Sequence, residues 1–243
     1  MATVLLLGAT SDIAVAMAKK FASEKYDIIL AARNPLLLAA TESDLKIRYQ
    51  VNVISVAFDA VKYQTHAVFF SSLNPKPDIS ITMFGILEDE EPAFENWEAA
   101  ERMINTNYTG AVSVLNIIAR QYITDEKGTI IGISSVAGDR GRASKLVYAS
   151  AKAGFSTYLA GLRNKCFKHK VHVMTVKPGF VYTKMTENVK LPRPITSTPA
   201  EVAEIIYSAY LKKKNVVYVK WFWKYIMMII QAIPEFQFKK MKL

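Results

Sequence analysis

Short apolar runs alternate along the chain with segments of helical length, and this alternation constrains the fold more than any other feature. "TVLLL" (3–7), "DIILAA" (27–32), "VNVISVAF" (51–58), "DISITMF" (78–84), "TIIGIS" (129–134), "VHVMTV" (171–176) and "VVYV" (216–219) read as strands. Segments such as 12–25 and 93–123 read as helices between them. Strands apolar on both faces need cover on both, and helices between consecutive strands supply it. The expected fold class is α/β: a doubly wound, Rossmann-type parallel sheet in a single domain over 1–215, with an amphipathic aromatic and basic tail over 216–243. The Pro-rich "KLPRPITSTP" (190–199) is expected to be a surface loop.

A chain of 243 residues with 51% hydrophobic content can bury a core. The single cysteine, Cys166, excludes an internal disulfide framework, and "MATVLLLGATSD" has neither a basic region nor a long apolar run, so the cytoplasm is the expected location. The net charge of +10 suggests nucleic acid until it is located: residues 211–243 hold eight lysines against Glu235. The charge belongs to the tail, and no nucleic-acid partner is expected.

Strand one runs into "GATSDIA" (8–14), where a helix starts. Small residues there let backbone N–H groups approach a pyrophosphate at the helix amino terminus, which makes Gly8, Thr10, Ser11, Asp12 and Ile13 candidate cofactor residues. An ordinary strand-to-helix turn with Asp12 as its N-cap explains the same residues. Strand two ends in Ala32 and Arg33, where an NAD site would offer a carboxylate to the ribose. A cation suits a 2′-phosphate, so NADP(H) is the expected cofactor, with NAD(H) possible. A solvated arginine is the alternative.

Strand five ends in "GISSVAG", with Ser134 and Ser135 at its carboxyl end, and "YASAK" sets Tyr148 and Lys152 one helical turn apart. Upstream, "NTNYTGAV" carries Asn107 in the long helix before strand five, and "VKPGF" puts Pro178 and Gly179 after strand six. In this order, over residues 3–215, these motifs resemble the short-chain dehydrogenase/reductase family. A free tyrosine, with pKa about 10, exchanges protons slowly near neutrality, and a lysine four residues on is expected to lower that value. The resemblance implies an NAD(P)-dependent enzyme of the carbonyl reductase or alcohol dehydrogenase type, a homo-oligomer. It implies that Tyr148 exchanges the proton, Ser135 binds the substrate oxygen, Lys152 also holds the nicotinamide ribose, and Asn107 supports a water relay. It further implies cofactor contacts at Asp59, Val181 and Thr183, beside Pro178 and Gly179. The Asn-Asn-Ala-Gly that the family carries after strand four is replaced by "MFGIL" (83–87).

Three patterns invite chemistry and are better read otherwise. Tyr210 and Lys214 repeat the Tyr-Lys spacing with Ser197 thirteen residues before, but "ITSTPAEVA" marks a helix start, so the pair reads as an exposed helix end. Cys166, His169 and His172 run from a helix end into a strand and need not converge, so no metal is expected. "EDEEP" (88–92) reads as a solvated acidic loop.

"GDRGRASK" (138–145) places Arg140, Arg142 and Lys145 between Ser135 and Tyr148, where they suit an anionic substrate group or form a solvated basic loop. "GATSDIA", "FG" (84–85) after strand four, "SSVAGDRGR" (134–142) and the tail "VKWFWKYIMMIIQAIPEFQFKKMKL" together resemble the branch of decaprenylphosphoryl-2-keto-pentose reductases. That implies a polyprenyl-phosphate keto-sugar as substrate and peripheral contact of residues 221–243 with the inner face of the cytoplasmic membrane, Trp221 and Trp223 lying at the headgroup boundary. Between Lys224 and Glu235 lie ten uncharged residues, too few to cross a bilayer. A tail packed over the pocket or against a partner subunit, a soluble or acyl-carrier-bound ketone as substrate, and a non-catalytic cofactor-sensing scaffold are the alternatives.

Overall fold

Strand β1 (Thr3–Leu7) shows why the sheet is covered twice: Val4 and Leu6 enter one apolar cluster, Leu5 and Leu7 the opposite one, and all four are fully buried. The computed structural model describes residues 1–88, 90–187 and 191–241. After β1 come α1 (Asp12–Ser23), β2 (Asp27–Ala32), α2 (Ala39–Tyr49), β3 (Val53–Ala57), α3 (His66–Ser72), β4 (Ile79–Thr82), α4 (Glu90–Glu95), α5 (Trp97–Ile104), α6 (Gly110–Thr124) and β5 (Thr129–Ile133). Then follow α7 (Leu146–Cys166), β6 (His172–Lys177), β7 (Phe180–Val181), β8 (Thr196–Ser197), α8 (Pro199–Leu211), β9 (Val216–Tyr218), α9 (Phe222–Ala232) and α10 (Glu235–Phe238).

Seven strands form one sheet in the order β3-β2-β1-β4-β5-β6-β9, with every pairing parallel. This is the doubly wound sheet expected from the alternation. Residues of α1, α2 and α8 close one face, and those of α3, α6 and α7 close the other. The strand order reverses between β1 and β4, which opens a crevice at their carboxyl ends.

Several expectations need correction. The segment 93–123 is not one helix: Asn96 caps α5 by accepting from the Glu98 N–H at 2.9 Å, and a π turn over Asn105–Thr109 separates α5 from α6. The acidic run does not stay a loop, because α4 begins at Glu90; Glu88 pairs with Arg102 at 3.0 Å, and Asp89 lies outside the described residues. Within 190–199, Thr196 and Ser197 are buried in β8, paired with β7, so this part is not surface; Lys190 lies outside the described residues. Residues 216–218, assigned above to the tail, are the edge strand of the main sheet. Tyr210 is half-buried against Phe21, Tyr26 and Tyr207, because three aromatic rings there need a fourth to close them off from water, while Lys214 lies beyond the helix.

Candidate active site

The loop leaving β5 and the first turns of α7 bring the predicted residues together. Ser135 caps the 3-10 turn Val136–Asp139 by accepting from the Ala137 N–H at 3.1 Å, and its hydroxyl also hydrogen-bonds Tyr148. Ser134 donates to the Lys152 carbonyl at 2.9 Å and bonds Ser156 at 2.7 Å, so the end of β5 is tied directly to α7. The turn presses so closely on α7 that a Cβ on Gly138 would stand 2.7 Å from the Ala153 nitrogen. Lys152 is buried beneath, its Nζ donating to the Ile133 carbonyl at 3.1 Å and lying 5.8 Å from the centre of the Tyr148 ring.

Burial sets the electrostatics of this pair. It pushes the Tyr148 hydroxyl above its ordinary pKa, opposed by the hydrogen bond from Ser135, and it lowers the Lys152 ammonium to about 8. The expected net lowering of the Tyr148 pKa is therefore corrected: burial outweighs the groups that favour tyrosinate. Lys152 is buried and Tyr148 partly so, and desolvation favours the neutral form of each.

Asn107 sits in the π turn, a feature that re-aims side chains in helices, and is 2% exposed. Its Oδ1 accepts from the Ile86 N–H at 2.9 Å and its Nδ2 donates to the Ile86 carbonyl at 2.8 Å. Asn107 thereby pins the stretch that replaces the family's Asn-Asn-Ala-Gly. Gly85 in that stretch, part of the "FG" noted above, is given no role by the sequence, but a Cβ there would meet the Asn107 Oδ1 at 2.7 Å and the Lys152 Nζ at 3.5 Å.

At the crevice, Gly8 has φ +93°, and a Cβ would fall 2.6 Å from the Phe84 nitrogen, so only glycine lets β1 and the end of β4 approach this closely. Ser11, not Asp12, is the N-cap of α1, accepting from the Ala14 N–H at 3.2 Å. The Asp12 carboxylate instead accepts the Lys184 N–H at 2.7 Å, because the loop after β7 crosses the start of α1. Val181, which ends β7, is buried, and in the loop Thr183 caps the turn Lys184–Thr186. Thr10 is exposed, Ile13 half-buried, and Arg33 exposed at the end of β2 with no ion pair among the described residues. Asp59 is half-buried and accepts the Val61 N–H at 3.1 Å. Its carbonyl meets the ring of buried His66 at 2.9 Å.

The substrate expectations fare differently. Arg140 does not face the crevice. It donates to the carbonyls of Ile230 (2.5 Å), Gln231 (3.1 Å) and Ile233 (2.6 Å), pairs with Glu235 at 2.9 Å, and stacks on Phe238 at 3.6 Å. The open carbonyls at the end of α9 are a stronger attractor for a guanidinium than solvent is. Arg142 is half-buried, with its Nε enclosed and unbonded, and lines a cleft of about 290 Å³ with Leu146, Phe238 and Lys239. Trp223 is also not at any boundary: it is 5% exposed and packs with Met227 on Val136, and a Cβ on Gly179 would lie 2.1 Å from its ring. Trp221, by contrast, is 74% exposed. Cys166 is buried at the end of α7, His169 lies in the turn that follows, and His172 opens β6.

The sequence pattern of a family described as short chain dehydrogenase matches residues 2–193. An uncharacterised oxidoreductase of Mycobacterium tuberculosis is 31% identical over 243 residues, covering 99% of this chain and 97% of its own. The NADP-dependent 3-hydroxy acid dehydrogenase of Schizosaccharomyces pombe is 28% identical over 233 residues, covering 88% of this chain and 89% of its own. Among solved structures, a short-chain dehydrogenase from Sphingobium yanoikuyae in complex with NADPH superposes with TM-score 0.84 at 20% identity, over 97% of both chains.

Proposed function

The chain belongs to the short chain dehydrogenase family, and on that premise we propose that it reduces a keto group, Tyr148 giving the proton to the carbonyl oxygen. The observation that carries this reading is the Ser135 hydroxyl bonded to Tyr148 above a buried Lys152. A nicotinamide dinucleotide, when bound, supplies the hydride. The residues present fit it. The first-turn N–H groups of Asp12 and Ile13 have no intrahelical acceptor and suit a pyrophosphate beside the Gly8 approach. Arg33 suits a 2′-phosphate, which favours NADP(H).

The chain's own groups divide the work. Burial keeps the Tyr148 hydroxyl protonated at neutral pH, as a general acid requires. Ser135 can turn its hydroxyl to the same substrate oxygen. Lys152 holds a charge that offsets the tyrosinate left after proton transfer, and it can reach a ribose hydroxyl while still bonded to Ile133. Asn107 keeps the Gly85–Ile86 backbone flat against the site. The test is turnover of 3-oxoacyl esters and polyprenyl-phosphate keto-sugars side by side with NADPH. No turnover of any ketone despite tight NADPH binding would favour a cofactor-sensing scaffold instead.

Two observations bear on the substrate. The likeness to a 3-hydroxy acid dehydrogenase supports a small 3-oxo acid as substrate. The outer face of α9, where Trp221, Tyr225, Met228 and Ile229 stand exposed beside Lys224, supports a lipid-linked one presented at an anionic membrane surface. With Arg140 occupied, Arg142 and Lys145 are the cations of this loop that could meet a phosphate. Among the described residues no helix is long and apolar enough to cross a membrane, so the segment would lie on a bilayer. Co-sedimentation with phosphatidylglycerol vesicles decides: binding should weaken with salt and disappear when Trp221 and Ile229 become serine. Those two positions are exposed, whereas truncation before Trp221 would also uncover the core around Trp223.

A further inference from the structure

The 3-10 turn that Ser135 caps is held on its outer side by β6 and the loop after it, by the edge strand and by the tail. Val136, its first residue, is buried against Trp223 and Met227. Asp139, its last, is ion-paired with Lys177 and accepts the Tyr218 hydroxyl at 2.8 Å, its carboxylate nearly enclosed. The carbonyl of Asp139 accepts the Gln231 amide at 2.8 Å. The next residue, Arg140, closes the end of α9 through three carbonyls and reaches Glu235 and Phe238 beyond it. Beyond it, a Cβ on Gly141 would meet nothing within 4 Å, and a 3-10 turn over Ala143–Lys145 leads into α7.

We propose that Arg140 is a positioning residue: by clamping the end of α9 it fixes the turn that presents Ser135 to Tyr148, so that the tail sets the geometry of proton transfer. The inference rests on the reading of Ser135 and Tyr148 given above. Its physical logic is that a hydroxyl must be held within a fraction of an ångström to bond both a tyrosine and a substrate oxygen. Of the turn's anchors, Lys177 and the Pro178 carbonyl, which accepts the Val136 N–H at 3.0 Å, come from β6 and the loop after it. Tyr218 comes from the edge strand, and the rest come from α9 and beyond. Arg140 carries the largest number of these bonds and joins them to the carbonyl end of the helix, where a cation is favoured.

The experiment uses the full chain with Arg140→Ala, Arg140→Lys and, as a control on the underlying reading, Tyr148→Phe. Amide hydrogen exchange is followed over 135–139 and over β1 and β4, NADPH affinity is measured by its fluorescence, and turnover is measured with ethyl 3-oxobutanoate. For Arg140→Ala the expectation is at least about 10-fold faster exchange at Val136 and a kcat lowered about 10- to 100-fold. Exchange in β1 and β4 and NADPH affinity should stay within about 3-fold, and Arg140→Lys should fall between the two, because an ammonium can satisfy part of the carbonyl set. Unchanged exchange at Val136, or a kcat per NADPH-binding site within about 2-fold of the unaltered protein, overturns the proposal. If Tyr148→Phe turns over at full rate, the reading of the site falls instead; if only Tyr148→Phe is inactive, the clamp alone falls. Should Arg140→Ala not fold, Gln231→Ala removes a single bond to the same turn and should show the same pattern at reduced size. Where the probe ketone is not a substrate, the exchange measurement decides.

Discussion

Lys152 holds its Nζ 5.8 Å from the centre of the Tyr148 ring while donating to the Ile133 carbonyl at 3.1 Å, so the charge that serves the tyrosine is anchored to the end of a central strand. Burial lowers this ammonium from the ordinary 10.5 to about 8. A proton held less tightly in the folded chain than in the unfolded one weakens folding wherever both would bind it. The cost, roughly 3 kcal/mol for a shift of this size, is therefore present in full below about pH 8 and fades as pH rises toward 10.5. Lys152→Met should be inactive and yet more stable than the unaltered protein at pH 7, and the gap should close by pH 10. Thermal unfolding of both proteins at pH 7, 8.5 and 10 checks this, and a gap that does not depend on pH would refute it.

Tyr148→Phe should remove turnover while NADPH affinity stays within a few-fold, because the hydroxyl serves the proton and not the cofactor. Tyr210→Phe should keep turnover. Its hydroxyl lies in the Tyr26–Tyr207 cluster, so it should lose about 1 kcal/mol of stability rather than be silent. Kinetics and thermal unfolding of the two variants separate the functional tyrosine from the structural one.

Arg33→Ala should erase most of a preference for NADPH over NADH, about 10- to 100-fold, since a charge-assisted contact contributes roughly 1.5 to 3 kcal/mol. Comparing kcat/KM for the two cofactors reads this out. An unaltered protein that prefers NADH would show that Arg33 is only a surface cation.

Asn107→Ala should cost about 1 to 2 kcal/mol, because the N–H and carbonyl of Ile86 both lose their partner in a half-buried stretch. Turnover should fall with it as Gly85 leaves its place beneath Asn107. Denaturant unfolding gives the first quantity and kcat the second, and a variant of undiminished stability would mean that water replaces the amide.

How much of this could be read in the sequence depended on how local each partner was. Ser135, Tyr148 and Lys152 are tied to a strand end and to one helix face, and their spacing carries that information. The π turn at Asn107 could not be seen, because one extra residue per turn leaves the apolar pattern of 93–123 almost unchanged. Arg140 was misread because its partners are main-chain carbonyls 90 to 93 residues away, which no side-chain pattern records. Trp221 and Trp223 look alike in a string of aromatics and lysines, and only the path of the chain after β9 sends one to solvent and the other onto Gly179.

That last contact governs how the protein can diverge or be redesigned. With 2.1 Å between a Cβ at Gly179 and the Trp223 ring, any side chain at 179 requires something smaller at 223, and a smaller residue at 223 opens a hole beside Val136. The loop after β6 and the tail are thus a single heritable unit. A graft that exchanges the tail with a relative's while keeping this loop, or the reverse, should fail, whereas one that carries 178–183 and 219–238 together should preserve the site.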